Sequence, residues 1–112
     1  EPSAGIRVYE TQGDLLFSGA EQVVRIADRE QDSFDVAILD VSRVDDIDGA
    51  ARALLSGMSA ALRADGKAGY LVDPDGMVIR SEPDLEAIRY MTVDDAVEAA
   101  KAWRARRGVS PR

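Results

Sequence analysis

Apolar positions recur along this chain with two periods, and the changes of period predict its elements. Ile6 to Glu10 (IRVYE) alternates as a half-buried strand does. Gln12-Gly13 is a turn signal, and Asp14-Leu15-Leu16-Phe17 resumes extended structure, so this segment predicts an antiparallel hairpin. Ala20, Val23, Val24 and Ala27 then share one helical face. Phe34 to Asp40 (FDVAILD) is nearly all apolar, as a central strand covered on both faces must be. Gly49 to Ala64 is the best helical stretch, with Ala50, Leu54, Met58, Ala61 and Leu62 on one side and Asp65-Gly66 to close it.

Lys67 to Val72 reads as a strand and Asp73-Pro74-Asp75-Gly76 as a turn. The pattern over 77–87 is the weakest and fits at most a short helix broken before Pro83. Ile88 to Met91 reads as a last short strand. Thr92 then caps a final helix, with Asp95 in the position of a capping box and Ala96, Ala100 and Trp103 on one face. Arg104, Arg106 and Arg107 suit the negative end of that helix. The order β-β-α-β-α-β-(α)-β-α implies an α/β fold, a mixed β-sheet flanked by α-helices. Trp103 and Phe17 are expected in the core, and Ser56 is expected to face it.

Composition narrows the chemistry. The 112 residues fit one domain over 1–112, with a core at about 6–107 and a loose tail at 108–112. Hydrophobic residues make up 46%, enough for a core without staples. No cysteine and no histidine occur, which excludes disulfides, thiol chemistry, histidine-based triads and the usual zinc sites. The net charge of −7 repels phosphate backbones, so nucleic acid is not an expected partner. No apolar run approaches the roughly 18 residues of a membrane span, so no direct insertion is expected. The chain begins with Glu1 rather than Met, which suggests an excised piece or a processed product.

One constellation carries a resemblance. Ala37-Ile38-Leu39-Asp40-Val41-Ser42, with Val44, Ile47 and Asp48 following and a small-residue helix after them, resembles the STAS domain of sulfate transporters and anti-sigma factor antagonists. Gly13 to Glu21 (GDLLFSGAE) is similar to the strand-to-helix segment of STAS domains in SulP-type anion transporters and in bacterial glutaminases that carry a STAS appendage. Val93 to Ala100 (VDDAVEAA) resembles the family's last helix, so the likeness spans essentially the whole chain. It implies a STAS-like fold of the anti-sigma factor antagonist type. Those antagonists carry a phosphorylated hydroxyl residue after the aspartate. Alignment on Asp48 puts Ala50 at that acceptor position, with Gly49 and Ala51 beside it. The resemblance thus implies the fold and argues against the phosphorylation switch.

The candidate site is therefore a partner-binding hinge of Asp45, Asp46, Asp48, Gly49, Ala50, Ala51 and Arg52, extending along the helix face through Ser59. Asp48 is expected to cap the helix, and Asp45 and Asp46 to suit its positive end. Ser42 is expected to make a local turn bond. Asp73-x-Asp75-Gly76 with Glu82 mimics part of a calcium loop, but its first ligand position falls on Leu71. No metal, cofactor or catalytic residue is expected. The expected role is a non-catalytic regulatory and protein-interaction module. It would be the C-terminal part of a larger bacterial protein, a glutaminase or an anion transporter, in the cytoplasm or on the cytoplasmic face of a membrane. The alternative is a free-standing anti-sigma factor antagonist that binds its partner constitutively. A homo-oligomer stays open.

Overall fold

Residues 5–80 and 82–108 are described by a computed structural model. The chain starts as one long strand, β1 (Gly5–Leu15), and turns at once into α1 (Phe17–Arg29). A single 3-10 turn (Gln31–Ser33) leads to β2 (Phe34–Ile47), and α2 (Gly49–Ala64) leads to β3 (Ala68–Val72). A second 3-10 helix (Pro83–Ile88), the two-residue β4 (Arg89–Tyr90) and α3 (Val93–Arg106) complete the fold. The sheet order is β1-β2-β3-β4, and every pairing is parallel.

The expected hairpin is absent. Gly13 does adopt a left-handed φ of +75°, but it sits beside a register shift within β1 instead of reversing the chain. Phe17 opens α1 and is 44% exposed, so it is neither strand nor core. The sheet implied as mixed is parallel throughout its described strands for the same reason. Pro83 begins the second 3-10 helix instead of ending an earlier one, because its fixed φ and missing N–H suit a first helical position. Of the tail expected over 108–112, only Gly108 lies among the described residues.

Alternation along β2 builds both cores. Val36 and Ile38 point to the face covered by α3, where Ile6, Val72, Ala96, Val97 and Ala100 join them. Leu39, Val41 and Val44 point to the other face, where α1 and α2 contribute Ala20, Ala51 and Leu55. The buried stripe of α2 is Ala51, Leu55, Ser59 and Leu62, while Ala50 and Ala61 are exposed. It is rotated from the predicted stripe because an alanine-rich helix offers apolar residues at every phase. The fit of Leu55 and Leu62 over the sheet then selects the phase. Ser56 is only half-buried, and Ser59 is the hydroxyl that faces inward.

The caps fall where the residue types place them. Thr92 Oγ1 accepts from Asp95 N at 3.1 Å, and Gly66, with φ +77°, follows the end of α2. Trp103 packs half-buried against the α3-side core. Arg104 does more than suit a helix end. It is 6% exposed, and its Nε donates to Asp35 Oδ2 at 3.0 Å. Gly5 makes room for it, since a Cβ there would lie 2.6 Å from Arg104 Nη2.

Candidate functional site

β2 is longer than the neighbour it pairs with, and the surplus shapes the site. Gly5 pairs with Phe34 and Leu15 with Ile47, so the 11 residues of β1 run beside the 14 of β2. The surplus enters at three register shifts, each a β-bulge that places an unmatched residue on β2. One bulge presents Asp35 to Arg104. A second lies between the pairs Glu10–Asp40 and Gln12–Arg43, and the third makes Asp45 the extra residue between Val44 and Asp46.

These bulges break the two-residue alternation. Val41, Val44 and Ile47 are all buried, and between them Ser42, Arg43, Asp45 and Asp46 are all exposed. Two adjacent carboxylates therefore face water where a regular strand would turn one of them inward. Asp46 also stands directly beside Asp14 of β1, and like charges at paired positions repel. Asp46 Oδ1 accepts from Ile47 N at 2.9 Å. Ser42 lies in the strand, and its backbone N–H donates to Asp40 Oδ1 at 2.9 Å, so the local bond is made by the main chain.

No loop separates β2 from α2. Asp48 is the only residue between them, and its N–H donates to Leu15 O at 3.3 Å, tying it to the end of β1. Its Oδ1 accepts from Ala51 N at 2.7 Å, as an N-cap side chain should. Gly49 and Ala50 follow on the surface, and open space surrounds the place a Cβ on Gly49 would take. Of the hinge residues expected from the sequence, Asp45, Asp46, Asp48, Gly49 and Ala50 are exposed together. Ala51 is fully buried and offers a partner no surface. Arg52 is half-buried, and its Nε is shielded from water with no hydrogen-bond partner among the described residues. Nor does the open face of α2 pass through Ser59. It runs along Ala50, Ala53, Gly57 and Ala60, which share a helical stripe and are all exposed.

Sequence reasoning missed the neighbour of this rim. Leu16 is 54% exposed and forms the N-cap of α1 with no side-chain cap bond, and exposed Phe17 follows it. The available signal is the absence of a capping residue in the run Leu15-Leu16-Phe17, whose apolar character reads as strand.

The parallel sheet, its helical layers and the two adjacent strand-to-helix junctions fit one known family. The STAS domain family model matches residues 1–100. The chain belongs to the STAS domain family. Several solved structures share the STAS fold. A sulfate transporter family protein from Wolinella succinogenes superposes with a TM-score of 0.74 at 24% identity, over 88% of this chain and 86% of its own. The phosphorylated form of the Bacillus cell fate determinant SpoIIAA gives a TM-score of 0.69 at 18% identity, over 82% of this chain and 87% of its own. A crystal structure of Mglu is 31% identical with a TM-score of 0.56, over 62% of this chain. This STAS domain spans only 18% of that Mglu chain. No curated protein matches the sequence. STAS domains are generally non-catalytic, and in related proteins they bind protein partners or sit within larger proteins. Among the described residues, no helix is long and apolar enough to cross a membrane.

Proposed function

We propose that this STAS domain is a non-catalytic interaction and regulatory module of a larger protein, with the Asp45–Arg52 junction as its contact surface. One observation carries the reading. β2 delivers Asp45, Asp46 and Asp48, then the bare backbone of Gly49 and the methyl of Ala50, to one exposed junction. Small residues there let a partner backbone approach closely, and the stripe through Ala53, Gly57 and Ala60 extends the approach along α2. On this reading Ala50 stands at the position that phosphorylated antagonists fill with a hydroxyl residue. The contact is then set by shape and charge and is not released by phosphate.

A glutaminase-type parent is favoured over an anion transporter. One Mglu structure is 31% identical, against 24% for the sulfate transporter family protein, and another Mglu structure is in an L-glutamate-binding form. The domain would then act in the cytoplasm as an appendage. The test compares the parent protein with and without residues 6–107. The expected outcome is altered activity, assembly or stability on deletion, and identical behaviour in all of these would overturn the proposal.

A second reading, a free-standing anti-sigma factor antagonist, rests on the fold shared with SpoIIAA. Mixing the chain with a cognate anti-sigma kinase and ATP separates the readings. A stable complex that takes up no phosphate supports the free-standing antagonist, and no complex rejects it.

A further inference from the structure

We infer that Leu16 and Phe17 form the apolar anchor of the contact surface, and that its partner is a segment presenting apolar side chains flanked by lysine or arginine. The inference rests on the interaction-module reading above and supplies the chemistry of the partner.

Several local features at this junction each weaken the isolated fold. Leu16 has the extended backbone of an N-cap, φ −92° and ψ 171°, yet its side chain cannot accept a hydrogen bond. No acidic residue occupies the first turn of α1, so nothing there answers the positive helix end. Leu16 and Phe17 are two of only three large hydrophobic residues exposed among the described residues, and they are adjacent. Asp14 and Asp46 are set side by side across the paired strands. Violations of local rules that gather in one place, with no folded-state gain, mark surfaces kept for binding.

The junctions of β1 and β2 form one surface. Leu15 pairs with Ile47, and Asp48 N–H donates to Leu15 O, so Leu16 and Asp48 leave the sheet from neighbouring positions. By register, Asp14, Asp46 and Asp48 stand next to the exit of the apolar pair, with Asp45 on the bulge beside them, and the basic residues of the same strand-to-helix run are Arg52 and the exposed Arg43. Covering Leu16 and Phe17 also shields these carboxylates from water, which is favourable only when cations come with the cover. A second copy brings the same acidic rim and a net charge of −7, so self-association at this surface is opposed.

The test uses two short amphipathic peptides with the same leucine stripe, one bordered by lysine and arginine, the other by glutamate. Amide chemical shifts of the isotope-labelled chain are followed at low salt. With the basic peptide, the shifts should concentrate on 14–19 and 45–52, weaken as salt rises, and be absent with the acidic peptide. The double variant Leu16→Ser/Phe17→Ser should bind the basic peptide at least about tenfold more weakly. Leu16→Ser alone should bind more weakly while melting about 4 °C higher, because serine supplies the missing cap. That pairing of gained stability with lost binding separates an anchor from a merely structural residue. Shifts mapping elsewhere, equal binding of the acidic peptide, undiminished binding by the double variant, or dimerisation through this surface would each overturn the inference. Failure of the interaction-module reading looks different: deleting 6–107 would leave the parent unchanged while the peptide still mapped to this junction.

Discussion

Asp48 does two things with one carboxylate, and substitution can divide them. Its Oδ1 caps α2 through Ala51 N, and its charge belongs to the acidic rim. Asp48→Ala should cost about 1 kcal/mol of stability, the usual value of an N-cap side chain. Asp48→Ser should keep the cap and stay near wild type in urea unfolding, while weakening a basic partner. Equal loss of stability in both variants would show that the charge, not the hydrogen bond, supports the helix. Arg104 makes the opposite case, a residue whose role is wholly internal. Its side chain is 7% exposed and Asp35 is 22% exposed, so the pair is mostly but not fully withdrawn from water. Removing one partner of a buried pair costs about 3–5 kcal/mol, and the residual solvent at Asp35 lowers the expectation for Arg104→Met to about 2 kcal/mol. Gly5→Ala attacks the same spot through its φ of +84° and the 2.6 Å approach to Nη2. The double variant should therefore lose less than the sum of the singles in urea melts.

At the scale of elements, the segment after β3 is held by a buried carboxylate. Asp73 is 1% exposed; its Oδ1 accepts from Met77 N at 2.8 Å, and its Oδ2 accepts from Val78 N at 2.9 Å and Ile79 N at 3.4 Å. Arg89 Nε donates to Asp73 O at 2.7 Å and its Nη2 to Pro74 O at 3.0 Å, locking the same turn from β4. Asp73→Ala should cost about 3 kcal/mol in urea unfolding, since several donors lose a charged acceptor, while Asp75→Ala on the surface should cost close to nothing. A calcium-loop role for Asp73-x-Asp75 would make the two substitutions matter alike. A second element-scale prediction concerns β3 and β4, where Tyr70 and Tyr90 meet edge-on with ring centroids 5.3 Å apart. Burial pushes the Tyr70 phenol above its ordinary 10.0, helped by Tyr90 and opposed by Arg106. The neutral form is thus favoured in the fold. Its stabilisation is complete below pH 10 and is lost as pH rises through the raised value. Tyr70→Phe should flatten that alkaline loss and remove one late component of the tyrosinate absorbance. Both effects belong to packing that sequence could not supply. Sequence did supply the bounds of α2, the caps at Asp48 and Thr92, and the short strand near Arg89, because each depends on neighbours in the chain. It failed on the hairpin and on the phase of α2, and it held no sign of the bulge that turns Asp45 and Asp46 outward together, because a bulge is a relation between two strands and leaves no mark in either alone.

Over the whole molecule, charge decides how the rim behaves before any partner arrives. The chain carries 21 acidic and 14 basic residues, and among the described residues the exposed ion pairs are few and short in sequence, such as Arg25–Glu21 and Lys101–Glu98. Such pairs are worth a few tenths of a kcal/mol each. Against them stands a net −7 with Asp14 and Asp46 forced side by side. Repulsion among exposed carboxylates should therefore exceed the attraction of exposed pairs, and added salt should stabilise the fold. Raising NaCl from about 0.02 M to about 0.5 M shortens the screening length several-fold. The expected result is a melting temperature higher by a few degrees, with a smaller rise for Asp46→Asn, which relieves part of the repulsion without salt. The buried Asp35–Arg104 pair should not respond, because screening acts mainly on exposed charges. A melting temperature that falls with salt would mean that surface pairs dominate the balance. The acidic rim would then be a stabilising network, and its claim to be a surface held in readiness for a basic partner would be lost.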